Sequence, residues 1–292
     1  MGDYHVHLHP HSPYPPGAVP PGEYPPGHLE AYLETALARG ADEVGFTEHL
    51  YRCVEAAGAL GTFWDDEPRP DLAAQAERFV AEERNLSLER YVEVVTGARD
   101  AGLPVKLGLE VDFFPCSIDA VLDLLAPYPW DFLIGSTHWV GGWSIDHGDV
   151  VYEFERRGVA RAYEDYFAWE TALAASGAVD ALAHADVVKK HGHRLPEPPL
   201  DLYRKLADAA ATGGTAVEVS TAGLYKPVGE MYPAPELLGA MHEAGVAITL
   251  ASDAHFPHEA ARDHDLAVAA ARAAGYTHRL RFTRRVGELV PL

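Results

Sequence analysis

Residues 4–9 read Tyr4-His5-Val6-His7-Leu8-His9, an alternation that fits a β-strand over Tyr4–Leu8. Side chains two apart leave an extended strand on the same face, so His5 and His7 can grip one ion together. His9 and His11 follow at once. They enter a stretch, residues 10–27, with eight prolines and three glycines, which predicts an extended, non-helical loop.

Outward from this strand, short β-type runs alternate with amphipathic stretches. Further strands are expected at Glu43–Thr47, Val105–Val111, Phe132–Thr137, Val179–Ala183, Ala216–Ser220 and Ala247–Ala251, with Arg279–Phe282 as a candidate eighth. Helices are expected at Leu29–Arg39, Asp71–Arg84, Leu88–Asp100, Ile118–Ala126, Ala160–Ala175, Leu200–Ala211, Pro235–Ala244 and Glu259–Ala274. Gly40 and Gly177 stand where a helix C-terminus favours glycine. This repeated β-then-α order calls for a parallel sheet covered by helices, and closure into a TIM-like (βα)7 barrel is the expected solution. The whole chain, 1–292, reads as a single catalytic domain. An open doubly wound sheet is the alternative, but no GxGxxG loop follows the first strand.

Composition narrows the partners. Lys+Arg 23 against Asp+Glu 44 gives a formal charge of -21, a field that repels a phosphate backbone and weighs against nucleic acid. Only Cys53 and Cys116 are present, with no disulfide framework or CxxC pair, and no apolar run approaches the roughly 20 residues needed to span a bilayer. A reduced, cytoplasmic protein without membrane contact is expected, and homo-oligomerisation is compatible with the sequence.

The sixteen histidines are informative through their positions. After the second strand comes Thr47-Glu48-His49, and the third ends in Gly108-Leu109-Glu110. Strand four runs into Ser136-Thr137-His138, strand five into His184-Ala185-Asp186, and strand seven into Ser252-Asp253-Ala254-His255. Six of seven strands thus bring a His, Glu or Asp to the C-terminal half, where barrel enzymes place chemistry. Nitrogen and carboxylate donors without cysteine suit zinc, iron or manganese rather than a structural zinc site. Eight or nine ligands exceed what one ion needs, so two to three divalent ions are expected, with Glu110 as the bridge.

At this point the sequence resembles the polymerase-and-histidinol-phosphatase (PHP) family, specifically its monofunctional histidinol-phosphate phosphatase type. The resemblance rests on His-x-His at His5 and His7, Thr47-Glu48-His49, the strand-three Glu110 and Ser252-Asp253-Ala254-His255. It rests also on GHLEAYLE (Gly27–Glu34), KKHGHRLP (Lys189–Pro196) and STAGLYKPVGEMYPAP (Ser220–Pro235). It implies a distorted seven-stranded βα barrel with a trinuclear centre that hydrolyses L-histidinol phosphate. By carry-over, His5, His7, Glu110 and Asp253 hold a first ion and Glu110, His138 and His184 a second. His49, His255 and a loop histidine hold a third. The proline-rich insertion offers His9, His11 and His28 for that last place, and His11 is favoured because His9 is still close to the strand. Water activated between two ions attacks phosphorus in line, with Glu110, Asp253 and His255 as the catalytic candidates.

Lys189, Lys190 and Arg194 follow strand five and can supply phosphate-binding charge. Trp139 or Trp143 can stack on an imidazole. Glu48, Asp65 and Asp186 are the candidate partners for a substrate amine, and Thr221, Tyr225 and Lys226 are further candidates for substrate contact. His147, His242, His258, His264 and His278 are expected at the surface. Another small phosphate ester, such as a nucleotide or sugar phosphate, is the alternative substrate, because the metal core reads only the phosphoryl group.

Overall fold

A computed structural model describes residues 1–292. The strands are β1 (Gly2–Val6), β2 (Glu43–Phe46), β3 (Val105–Leu107), β4 (Glu110–Asp112), β5 (Ile134–Ser136), β6 (Trp139–Val140), β7 (Trp143–Ser144), β8 (Ala181–Leu182), β9 (Ala216–Ser220), β10 (Ile248–Ala251), β11 (His278–Thr283) and β12 (Val286–Pro291). The helices are α1 (His28–Ala38), α2 (Ala57–Leu60), α3 (Pro70–Glu83), α4 (Leu88–Asp100), α5 (Ile118–Leu125), α6 (Glu153–Arg157), α7 (Val159–Ser176), α8 (Leu200–Gly213), α9 (Pro235–Glu243) and α10 (His264–Ala273). All eight expected helices are present. Their ends follow local chemistry: Ser87 caps α4 by accepting from the Arg90 amide at 3.3 Å, prolines open α3 and α9, and Gly177 closes α7 at φ 66°.

The sheets run parallel, in the orders β1-β2-β3 and β10-β9-β8-β5-β4. Isolated bridges join them, Val6 with Ala254 and His49 with Glu110, and β1 packs against β10. The pairing is that of parallel sheets in an α/β fold, with bridges joining one sheet to the other on both sides. The Phe132 ring fills the interior so closely that a Cβ at Gly45 or Gly108 would lie 2.5 or 2.4 Å from it. The third expected strand is interrupted at Gly108-Leu109 and resumes as β4.

Phe132 forms a small inner core with Tyr4, Ile134, Ala181, Ala183, Ala216 and Phe282, while a larger core lies largely between sheets and helices. Phe282 belongs to β11, which pairs antiparallel with β12 as a hairpin instead of extending the parallel sheet. The last expected helix begins five residues late. Ala261 and Asp263 take positive φ, and the Ala261 amide donates to Asp3 at 2.7 Å.

Candidate metal centre

Asp3 ties β1 to the far end of the chain, accepting from the Ser252 amide at 2.9 Å and its hydroxyl at 2.6 Å. The Ala254 bridge to Val6 completes this junction. As a result His5 and His7 lie beside Asp253 and His255. From the second strand, Thr47 accepts from the Val6 amide at 3.1 Å and Glu48 from the Leu8 amide at 2.9 Å, which carries His49 to the same place.

Glu110 is fully buried at the middle of the group. Its Oε1 lies 3.1 Å from His184 Nε2 and 3.3 Å from His138 Nε2, and it accepts from the Ser136 hydroxyl. Its Oε2 lies 3.4 Å from both His5 Nε2 and His7 Nε2 and 2.6 Å from His49 Nδ1. Asp253 Oδ1 lies 3.5 and 3.4 Å from the same His5 and His7 atoms. His255 stacks on His7 with ring centroids 4.3 Å apart. Donor atoms of His5, His7 and Glu110, of His5, His184 and Asp253, of His49, Glu110 and His138, and of His7, His49 and His255 each lie within 4.8 Å of one another. The eight strand-end residues expected from the sequence thus come together.

The loop histidines separate. His9 is held between Glu48 Oε1 at 2.9 Å and the Glu23 carbonyl at 3.0 Å, and His28 lies 2.9 Å from the Leu8 carbonyl. Only His11 reaches the cluster, with its Nε2 3.1 Å from His49 Nε2. Arg52 and Glu83 place it there. The buried Arg52 guanidinium donates to the His9 and Pro10 carbonyls at 3.0 and 3.1 Å and lies 3.2 Å from Glu83. Glu83 accepts from the Ser12 amide at 2.8 Å and lies 3.5 Å from His11 Nδ1. Two other histidines have comparable carboxylate partners. Glu218 is 2.9 Å from His5 Nδ1 and Asp112 is 2.8 Å from His138 Nδ1, contacts that orient ring nitrogens toward an ion. Neither Glu218, Asp112 nor Glu83 was singled out in the sequence, although Glu218 stands in plain view as the one charged residue of Ala216–Ser220.

The electrostatics match a cation site. Burial alone would raise the Glu110 and Asp253 carboxyls. The imidazoles of His49, His5 and His138 around Glu110, and of His5, His7 and His255 around Asp253, hold them well below the usual carboxylate range. Burial would lower His5 and His138, yet carboxylates outweigh it and raise both well above an ordinary imidazole. Burial, reinforced by neighbouring His7 and His11, holds His49 and His255 well below it. Glu48, despite its burial, is held at about 2 by His9 and Arg52. His255 Nε2, His49 Nδ1 and Glu110 Oε2 are buried without a hydrogen-bond partner, even though the last two are 2.6 Å apart. Unpaired donors this close are costly unless a cation is shared, so the donor set fits divalent metal ions.

Among the three basic residues expected at the phosphate, only Lys190 lines the cavity of about 290 Å³ that also holds His11, His49 and His138. Lys189 and Arg194 line a different cavity, where Glu230 pairs with both. Asp186 adds a second partner for Lys189 at 2.8 Å. Lys226 and Arg262 border a further opening beside Asp253 and His255. Trp139 lines the first cavity, whereas Trp143 packs beneath and donates to the Val150 carbonyl at 3.2 Å. His147, expected at the surface, also lines that cavity, and His264 is buried against Asp3.

A family model described as PHP domain matches residues 7–222. The chain belongs to the PHP domain family. A probable histidinol-phosphatase of Deinococcus radiodurans is 36% identical to this PHP domain over 228 residues, 78% of this chain and 80% of that protein. The histidinol-phosphatase of Bacillus subtilis is 26% identical over 253 residues, 78% and 87% of the two chains. The fold is shared with the histidinol phosphate phosphatase of Lactococcus lactis, solved with zinc, L-histidinol and phosphate. The TM-score is 0.72 at 20% identity, over 98% of each chain.

The Arg52–Glu83 clamp carries a prediction for the PHP domain. Glu83→Gln keeps the side chain's size but removes the charge beside His11. Loss of such a carboxylate partner typically costs 10–100-fold in metal affinity. Elemental analysis of the variant, dialysed against dilute metal, is expected to show close to one ion fewer per chain than wild type at unchanged secondary structure. Unaltered metal content would remove the clamp's role.

Proposed function

We propose that the protein hydrolyses L-histidinol phosphate to L-histidinol and phosphate at a centre of two to three divalent ions. The observation that carries this reading is the convergence of nine expected donors, from His5 to His255, in a chain so similar to a probable histidinol-phosphatase. In this reading His5, His7, Glu110 and Asp253 hold one ion, Glu110, His138 and His184 a second, and His11, His49 and His255 a third. Zinc, iron and manganese all suit these donors. Such ions supply the Lewis acidity that activates water and offsets charge on the phosphoryl oxygens.

The chain's own residues do the remaining work. Glu110 spans both halves of the donor set through its two oxygens, and Asp112 and Glu218 fix the rings of His138 and His5. Asp253, held ionised by the imidazoles around it, is suited to hold a cation rather than to protonate the leaving alkoxide. Lys190 is the basic residue placed to meet the phosphoryl group. The frame for this chemistry is a distorted (βα)7 barrel formed by one catalytic unit, residues 1–292. Two free cysteines fit a cytoplasmic setting, and no helix is long and apolar enough to cross a membrane.

Phosphate release from a panel at equal concentration, measured on protein of known metal content, tests the reading. Histidinol phosphate is expected to exceed nucleotide and sugar phosphates by at least tenfold in kcat/KM. A preference for either of the others would overturn the assignment.

A further inference from the structure

The cavity beside His49 and His138 has two unlike walls. One is aromatic: Tyr51 and Phe79 have ring centroids 5.7 Å apart, Phe79 and Trp139 6.1 Å. The buried indole N–H of Trp139 has no acceptor. The other wall carries Asp146 and Lys190, paired at 2.8 Å with side chains only 20% and 23% exposed. Asp146 is the single carboxylate on the lining.

The acidic residues expected to meet an amine are engaged elsewhere. Glu48 is taken by His9 and the Leu8 amide, Asp186 by Lys189 and the Ala234 amide, and Asp65 by the Thr62 hydroxyl. Asp146 pairs with Lys190 at 2.8 Å and otherwise accepts only a long hydrogen bond from the Ser144 hydroxyl at 3.5 Å. Its backbone carbonyl accepts from His191 Nε2 at 2.9 Å, which anchors the loop. Exchanging this pair for another of the same charges leaves neither mostly buried charge without a partner, which avoids the cost of breaking it.

Histidinol phosphate is a flat imidazole, an ammonium and a phosphate dianion on one short chain. On the reading that it is the substrate, we propose that Asp146 is the specificity-determining residue that binds its ammonium group. Lys190 then turns to the phosphoryl oxygens, so that the internal pair is replaced by the substrate's own opposite charges, and the aromatic wall receives the imidazole.

The test compares kcat/KM for histidinol phosphate with that for the same ester lacking the amino group, imidazolepropanol phosphate, on the metal-loaded enzyme. Wild type is expected to prefer the ammonium ester by roughly 10–100-fold, as a site built around a substrate polar group does when partly open to water. Asp146→Asn is expected to cut that preference to about threefold or less, mainly through KM, and Asp146→Glu to restore part of it. Lys190→Met is expected to lower both esters alike. Calorimetric binding of histidinol itself is expected to weaken in Asp146→Asn in parallel. An unchanged ester ratio in Asp146→Asn, or equal loss on both esters, overturns the proposal while the functional reading stands. Wild-type protein that cleaves other phosphate esters but not histidinol phosphate overturns the functional reading itself.

Discussion

Glu110→Gln is expected to lower kcat on histidinol phosphate by roughly a thousandfold or more and to reduce the metal retained after dialysis. Removing one well-placed electrostatic group from an active site typically costs 10²–10³, and this carboxylate serves two groups of donors at once. Its Oε1 faces His138 and His184, and its Oε2 faces His5, His7 and His49. A glutamine keeps the volume, so the buried site is not hollowed out. It must, however, turn an NH2 toward one of the two histidine groups, and that nitrogen offers no lone pair to an ion. The negative charge that offsets the cations is lost as well. Steady-state phosphate release together with elemental analysis checks both parts. A variant with full metal content and more than a tenth of wild-type kcat would falsify the bridging role of Glu110.

The features legible in the sequence were those whose residue type conflicts with its surroundings. An imidazole or carboxylate at the end of an apolar strand is hard to explain without a ligand, and eight such residues, His5, His7, His49, Glu110, His138, His184, Asp253 and His255, reach the cluster. The loop histidine was less legible because its place depends on Arg52 and Glu83, remote in sequence from His11. Backbone contacts that no local pattern reveals hold the proline-rich segment. Lys189 and Arg194 resembled phosphate ligands in a basic run, but Glu230 lies close enough in space to draw both away. Asp146 gave no signal, since a lone acid in a polar loop is ordinary until the fold sets it in one cavity with Tyr51 and Phe79. The close packing of Phe132 was equally hidden, because its bulk matters only once Gly45 and Gly108 lie against it.

Backbone geometry supports the same centre. His184 and Asp253 both hold positive φ, 28° and 51°, a region that non-glycine residues occupy at a cost of order 1–3 kcal/mol each. Both donate to the cluster. The hydrogen bonds around them show what sustains the strain: Glu218 accepts from the His184 amide at 2.7 Å, and Asp3 holds Ser252 beside Asp253. Glu218 thus serves two functions, orienting His5 through one oxygen and fixing the His184 backbone through the other.

Stripping the metal is expected to abolish phosphatase activity and to lower Tm, and both losses should reverse on adding manganese or zinc. Binding that favours the folded chain stabilises it by about 2.7 kcal/mol at a hundredfold excess over Kd. The pH dependence follows from the ring charges. Without cations, the carboxylates around His5 and His138 keep both protonated at neutral pH, and a nitrogen must lose its proton before it can bind an ion. Protons therefore compete with metal at these two rings. Affinity should rise with pH from the ordinary imidazole range upward and fall on acidification, whereas His49 and His255, already neutral, add no such dependence near pH 7. Calorimetric metal titrations in buffers of different ionisation enthalpy are expected to show net proton release at pH 7. Stripped protein that retained full activity, or binding without proton release, would mean that these residues converge for a reason other than holding cations.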